Sequence, residues 1–359
     1  MKLTAIPVEG YEQVVRCEDP HSGLCAFISV HDTTLGAALG GVRMWPYASE
    51  QQAFTDVNRL AKSMTYKSAV AGLYLGGGKA VVIGDSRTDK SESLLRALGR
   101  FIDTFDGLYI AGEDVGTTVE DLCIVRQETR FVGGLPRGMG SSGNPAPLTA
   151  LGVFLGMRAC IERQLGTDDF CGMRVAVQGC GNVARYLCQH LHTAGALLSL
   201  TDTQHDKAQA LAQQYDAHLL APEAIYEADC DIFAPCALGG VLNDDTIPRL
   251  RCQIVAGSAN NQCLAEAHGD LLQQHGILYA PDFVINAGGV INIAVEFAPE
   301  GYDEGRAVEK VHGIYHTLRH VLDLAAQEHL STHHAALRLA ERQLAVGRQR
   351  KESVSTNGW

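Results

Sequence analysis

An apolar run at 173–178 leads into Gly179-Cys180-Gly181-Asn182-Val183-Ala184, then a helical stretch at 185–192, a second apolar run at 197–200, and an acid, Asp202. No other stretch of the chain constrains its fold as tightly. Strand, glycine turn, helix and strand in that order make a βαβ unit, whose strands run parallel because the helix crosses over between them. Each small residue of the turn has a physical task. Gly179 permits the tight bend, Gly181 lets a pyrophosphate reach the backbone, and Ala184 lets helix and strand pack closely. Free N–H groups and the helix dipole then favour phosphate at the helix start. Asp202 stands about 20 residues beyond the first glycine, where a carboxylate accepts from ribose hydroxyls. Thr203-Gln204-His205 offers no arginine for a 2′-phosphate, so the pattern reads as NAD rather than NADP binding.

A second feature carries chemistry. Leu73-Tyr74-Leu75-Gly76-Gly77-Gly78-Lys79 runs into the apolar stretch 80–83. Three glycines leave backbone N–H groups uncovered for a close ligand, and Lys79 stands on the rim of a buried strand. Upstream, Ser49-Glu50-Gln51-Gln52 has the form of a capping box, and Phe54, Val57, Leu60, Ala61 and Met64 recur at helical spacing. Lys67 extends that stripe and is predicted to face inward just past the helix end. Two lysines aimed at one enclosed place depress the pKa of one of them, which is how a lysine becomes a base near neutral pH. Taken singly, each has a plainer reading: Lys67 as a snorkelling surface residue, Lys79 as loop chemistry, Asp114 as the cap of a helix through Leu122.

The 359 residues are enough for two domains, and 46% hydrophobic with 19% charged residues describes a globular chain. A formal net charge of −12 disfavours nucleic acid or an anionic membrane as partner. The 11 cysteines are scattered singly, which argues for reduced cytoplasmic thiols rather than a disulfide framework or a zinc ribbon. No leader-like or membrane-spanning apolar run stands out, and no metal site is indicated. Short apolar runs alternate with helical patterns up to about residue 140, and turn residues cluster at 138–147 as a hinge or linker. Strand-like runs then follow at 232–234, 254–256 and 278–280, which together with the βαβ unit give a doubly wound parallel sheet. Two long helices fill 304–348, parting near Ser331-Thr332; the basic tail Arg348-Gln349-Arg350-Lys351 reads as solvated, and His333-His334 as an exposed helix face.

The segments His31-Asp32-Thr33-Thr34-Leu35-Gly36, Gly40-Gly41-Val42-Arg43-Met44-Trp45, Met64-Thr65-Tyr66-Lys67 and Gly76-Gly77-Gly78-Lys79 belong to one pattern. It continues through Glu113-Asp114-Val115-Gly116-Thr117-Thr118, Gly140-Ser141-Ser142-Gly143-Asn144-Pro145, Ala234-Pro235-Cys236-Ala237-Leu238-Gly239, Ala259-Asn260-Asn261-Gln262 and Val284-Ile285-Asn286-Ala287-Gly288-Gly289. Together they resemble the Glu/Leu/Phe/Val amino-acid dehydrogenase family, most closely its leucine-type members. The resemblance implies two domains with a cleft between them. One is an α/β substrate and oligomerisation domain (1–140, completed by C-terminal helices at 328–359). The other is a Rossmann-type NAD-binding domain (141–327). It implies Lys79 and Asp114 as the catalytic base and proton shuttle, with Lys67 on the substrate carboxylate. Gly40, Gly41, Met64, Gly112, Asn261, Val290 and Ile293 would complete the substrate site. NAD would be held by Thr149, Gly179, Cys180, Gly181, Asn182, Val183, Ala184, Asp202, Cys236, Ala237, Ala259 and Asn261. Family members assemble as dimers or octamers, so a homo-oligomer is implied.

The implied reaction is oxidative deamination of an apolar L-amino acid to its 2-oxo acid, with release of ammonium. Two positions depart from the leucine type: Gly112 replaces an alanine and Ile293 a valine. One is smaller and the other larger, so branched-chain substrates stand first and an aromatic amino acid, phenylalanine or tryptophan, second. Two readings of other kinds remain: a catalytically silent NAD-binding regulator, and a 2-hydroxy-acid dehydrogenase, although no histidine–carboxylate pair stands out. Cys236 reads as a small residue lining the cofactor side, not a nucleophile.

Overall fold

The computed structural model describes residues 1–356, with side chains described through Ser353. Contacts divide the chain into two compact units, one of 1–144, 292–304 and the segment from Ala340 on, the other of 145–291 and 305–339. The expected division at residue 141, with a return at 328, is therefore displaced. Residues 292–304 belong with the first unit because Glu296 accepts hydrogen bonds there from Gly134 N–H at 2.9 Å and Ser142 N–H at 3.0 Å, and from the Ser141 hydroxyl.

The first unit contains β1 (Lys2–Ala5), β2 (Gln13–Asp19), β3 (Leu24–Asp32), β4 (Ala38–Trp45), α1 (Glu50–Val70), β5 (Gly76–Ile83), α2 (Glu92–Asp103), β6 (Tyr109–Glu113) and α3 (Val119–Val125). The six strands form one sheet in the order β1-β2-β3-β5-β4-β6. Strands β1, β2, β3 and β5 pair antiparallel, and β4 lies parallel to β5 and β6. One face is covered by α2 and α3 through Leu94, Leu98, Phe101, Ile102, Leu122 and Val125, and the other by α1 through Ala53 and Val57.

The three glycines are not an open loop. They are the first residues of β5, buried between β3 and β4. What they permit is close approach of the chain to itself. A Cβ on Gly77 would lie 2.0 Å from Thr65 N, and one on Gly40 would lie 1.7 Å from Gly78 O. Helix α1 thus rests backbone to backbone on β5. It also runs further than its apolar stripe suggests, to Val70, so Lys67 occupies its last turn, half-buried, rather than a position beyond its end. Ser49 caps it by accepting from Gln52 N–H at 3.2 Å, but Gln52 returns its hydrogen bond to Ala48 N–H rather than to the cap.

The second unit contains α4 (Ala146–Leu165), β7 (Arg174–Gln178), α5 (Asn182–Thr193), β8 (Leu197–Thr201), α6 (His205–Tyr215), β9 (His218–Leu219), β10 (Ile232–Pro235), β11 (Ile254–Val255), α7 (Ala267–Gln274), β12 (Leu278–Tyr279) and α8 (Asp282–Ile285). Its strands are all parallel, in the order β12-β11-β10-β7-β8-β9. Strand order reverses between β7 and β10, the switch point at which doubly wound sheets receive ligands. α9 (Gly288–Glu296), α10 (Glu304–Glu328) and α11 (Thr332–Thr356) complete the chain. None of the helices among the described residues is long and apolar enough to cross a membrane.

The basic segment 348–351 is exposed, as its composition suggests, and two of its residues still reach the first unit: Arg348 pairs with Asp32 at 3.1 Å and Lys351 donates to Thr33 O at 2.6 Å. The histidine pair is half-buried, because His333 lies against the Tyr279 and Phe283 rings while His334 meets Asp270 at 3.0 Å.

The packing of α1 on β5 gives a direct test. Gly77→Ala should cost about 3 kcal/mol, since a methyl group has no space against the Thr65 backbone. Gly138→Ala, with open space around the added carbon, should leave the denaturant midpoint unchanged. Equal midpoints for the two variants would show that α1 does not rest on the bare strand.

Candidate active site

Lys79 is the fourth residue of β5 and 5% exposed, so its ammonium must find a partner inside the first unit. Its Nζ lies 2.7 Å from Asp114 Oδ2. Asp114 follows the end of β6 in a loop folded back on β4. There the Thr117 hydroxyl accepts from Asp114 N–H at 3.1 Å and donates to Val42 O at 2.7 Å, and Gly116 turns with φ +83° over Met44 O. Asp114 does not cap the helix that follows. Thr118 does, in a reciprocal box with Asp121, which leaves the Asp114 carboxylate for the lysine.

A third charged group belongs to the same place. Arg43, on β4, donates from Nε to Asp114 Oδ2 at 3.1 Å and from Nη1 to Asp56 Oδ2 at 3.1 Å. Tyr47 donates to that same Asp56 oxygen at 2.6 Å, and Arg59 to the other at 2.8 Å. Arg43 lies in the motif Gly40–Trp45, where the resemblance implies no role for it. Its signal was a charge set among the buried Leu39, Val42 and Met44 of one strand. Burial pushes the Asp114 carboxyl up, but the charges of Lys79 and then Arg43 outweigh it and hold it at about 2.

Around this centre the small residues cluster. A Cβ on Gly41 would touch Asp114 Cβ at 2.7 Å. Gly112, buried on β6, faces Ile293: a Cβ there would meet Ile293 Cδ1 at 3.5 Å and nothing else within 4 Å. Gly133 and Gly134 border the same side chain. Met64 and Lys67 share the half-buried edge of α1, and Gly40 packs against Gly78. Lys79, Asp114, Gly40, Gly41, Gly112 and Ile293 thus lie in one region of the first unit.

In the second unit the turn after β7 forms as its spacing predicts. Gly179 has φ +99°, and a Cβ there would strike Ala237 at 2.8 Å. Gly181 starts α5 with open space around it, and Ala184 is buried beneath. Asn182 is exposed and Val183 half-buried on the first turn of α5. Cys236 N–H donates to Gln178 O at 2.7 Å, which ties the two sides of the switch point together. Burial pushes the Cys236 thiol up, against a nucleophilic role. Asp202 accepts from Cys180 N–H at 2.7 Å and Gln204 N–H at 2.8 Å, so its carboxylate is held at the end of β8 by the turn it serves. Asn261 takes φ +52° with its N–H on the Asp282 carboxylate, Ala259 donates to Pro235 O, and the Thr149 hydroxyl donates to Pro145 O. Val290 is buried near the start of α9. A bare glycine, open space at a helix start, and a carboxylate fixed one strand away fit a dinucleotide.

Known proteins are similar to this chain. The family profile described as Glu/Leu/Phe/Val dehydrogenase, dimerisation domain, matches 11–131, and that of Glutamate/Leucine/Phenylalanine/Valine dehydrogenase matches 140–204 and 196–351. A leucine dehydrogenase of Thermoactinomyces intermedius is 53% identical over 343 residues, 96% of this chain and 93% of its own. An L-tryptophan dehydrogenase of Nostoc punctiforme is 46% identical over 346 residues, 96% of each chain. The crystal structure of L-tryptophan dehydrogenase from Nostoc punctiforme superposes with a TM-score of 0.82 at 44% identity, covering 95% of this chain and 97% of that one. The chain belongs to the Glu/Leu/Phe/Val dehydrogenase family.

The depressed Asp114 carboxyl has a consequence for stability. Its folded value of about 2 lies below the unfolded value of about 3.9, so its contribution of about 2 kcal/mol is complete above pH ~4 and lost as pH falls toward 2. The stability gap between the parent and Asp114→Asn should therefore narrow between about pH 4 and pH 2. A gap that stays constant over that range, measured by thermal unfolding, would show that Asp114 gains nothing from its cations.

Proposed function

We propose that the protein catalyses the NAD-dependent, reversible oxidative deamination of an apolar L-amino acid, leucine and other branched-chain amino acids first, to the 2-oxo acid and ammonium. The observation that carries this is the Lys79–Asp114 pair at 2.7 Å, buried beside bare glycines in a chain about half identical to leucine dehydrogenases. In this reading the first unit holds most of the substrate, and the second holds NAD and adds Asn261 and Val290 to the substrate's surroundings. Gly179 to Ala184 take the pyrophosphate and Asp202 the adenosine ribose, where a 2′-phosphate would be repelled. Thr149, Cys236, Ala237, Ala259 and Asn261 line the remainder of the cofactor site. NAD, when bound, supplies a hydride acceptor for the α-carbon.

The chain's own residues do the rest. Lys67 holds the substrate carboxylate. Gly40, Gly41, Met64, Gly112, Asn261, Val290 and Ile293 surround the remainder of the amino acid. Lys79, as the neutral amine, takes a proton from the water that adds to the imine carbon and returns one to the departing amine. Asp114 carries protons between the amine nitrogen and solvent. The balance is amino acid, NAD⁺ and water to 2-oxo acid, ammonium, NADH and a proton. A homo-oligomer, dimer or octamer, belongs to the same reading, as does a cytoplasmic setting for 11 cysteines without a disulfide pattern.

The test is a panel of 2-oxo acids assayed with ammonium and NADH. Ammonium-dependent turnover, best with the branched-chain acids, supports the reading. Turnover without ammonium points to a hydroxy-acid dehydrogenase, and NADH binding without any turnover to a silent regulator. Lys79→Ala should lower kcat by about 10²–10⁴-fold while NAD binding stays unchanged. A variant with near-parental turnover would remove Lys79 as the base.

Gly112 supports the second substrate class, an aromatic amino acid. A methyl there makes only ordinary contact with Ile293, so Gly112→Ala should fold normally and simply occupy space. The leucine-to-phenylalanine ratio of kcat/KM should rise by the equivalent of about 1–3 kcal/mol. An unchanged ratio would show that Gly112 does not border the side chain of the substrate.

A further inference from the structure

We propose that Arg43 is a positioning residue that holds Asp114 as an oriented carboxylate during the part of the cycle in which Lys79 is neutral. The inference rests on the functional reading above and adds a residue to it. Lys79 and Arg43 meet the same oxygen of Asp114, Oδ2, at 2.7 and 3.1 Å. When Lys79 acts as a base it can still donate a hydrogen bond to that oxygen, but its charge is gone. The guanidinium never gives up its proton, so it remains a cation on Asp114 throughout.

Arg43 is also built in rather than free to follow solvent. Its side chain is 19% exposed, and Nη1 is fixed on Asp56, itself held by Tyr47 and Arg59. A fork with one prong on Asp56 and the other on Asp114 has little freedom to turn. The groups facing Asp114 come from three strands: Lys79 from β5, Arg43 from β4, and Tyr109 and Glu113 from β6, both of which feel its charge. Glu113 repels it and Tyr109 is neutral, so with Lys79 uncharged Arg43 supplies the cation that still favours the ionised form, beside the Val115 N–H.

The experiment is the pH dependence of kcat and KM for oxidative deamination in the parent, Arg43→Gln and Arg43→Lys. Arg43→Gln should lower kcat by on the order of tenfold, change the amino-acid KM by less than about threefold, and move the acid limb of the profile upward. Arg43→Lys, which keeps the charge, should return the limb toward its parental position. An unmoved limb in Arg43→Gln, or a loss equal at every pH that lysine does not rescue, overturns the proposal, because a merely structural residue gives that pattern. If Arg43→Gln does not fold, Asp56→Asn carries the test. It leaves the guanidinium but frees its far end, so a limb moved in the same direction supports the proposal and a parental limb overturns it. Failure of the functional reading is separate, since it would appear as absence of ammonium-dependent turnover in the parent.

Discussion

Helix α1 and strand β5 touch through their backbones, and much of the first unit follows from that contact. Side chains at Gly76, Gly77 or Gly78 would collide with Asp32, Thr65 or Tyr109. Without them the helix settles onto the strand, and β5 lies buried between β3 and β4. The next residue is then a lysine in a place where a charged group has no water to rely on. The glycines therefore act less by exposing backbone to a ligand than by denying Lys79 any way out.

The charges that result are arranged economically. Lys79 and Arg43 converge on one carboxylate, while a second carboxylate, Asp56, holds the far side of the arginine. Buried charges of one sign repel, and each cation here is separated from the next by an anion. Taking out any one member leaves a neighbour uncompensated, which is costly in a weakly solvated site.

Most of the second unit was legible in the residue order, because a βαβ unit has little freedom: turn, helix start, second strand and acid lie where their spacing puts them. The candidates Lys79 and Asp114, which the structure brings to 2.7 Å, were legible as well, through motif and not through periodicity. What escaped had a common cause. The glycine run reads as a loop because glycine disfavours strands, yet tertiary packing overrides that preference where two backbones must meet. Arg43 escaped because a single charge in an apolar strand looks like an exposed edge. Residues 292–304 fall with the first unit through Glu296, which finds its partners about 155 positions away in sequence. Long-range hydrogen bonds leave no local trace.

Asp202, the proposed ribose acceptor, also has a structural task. Its two oxygens accept from Cys180 and Gln204, so the carboxylate that would read the ribose also staples the glycine turn to the end of β8. Exchanging it for a small neutral residue to admit a phosphorylated ribose would remove the repulsion and the staple together. In the proposed cofactor site, altered preference is therefore coupled to the rigidity of the glycine turn. An engineered switch has to supply a new acceptor for the Cys180 N–H, or the loop it hopes to repurpose will lose its shape.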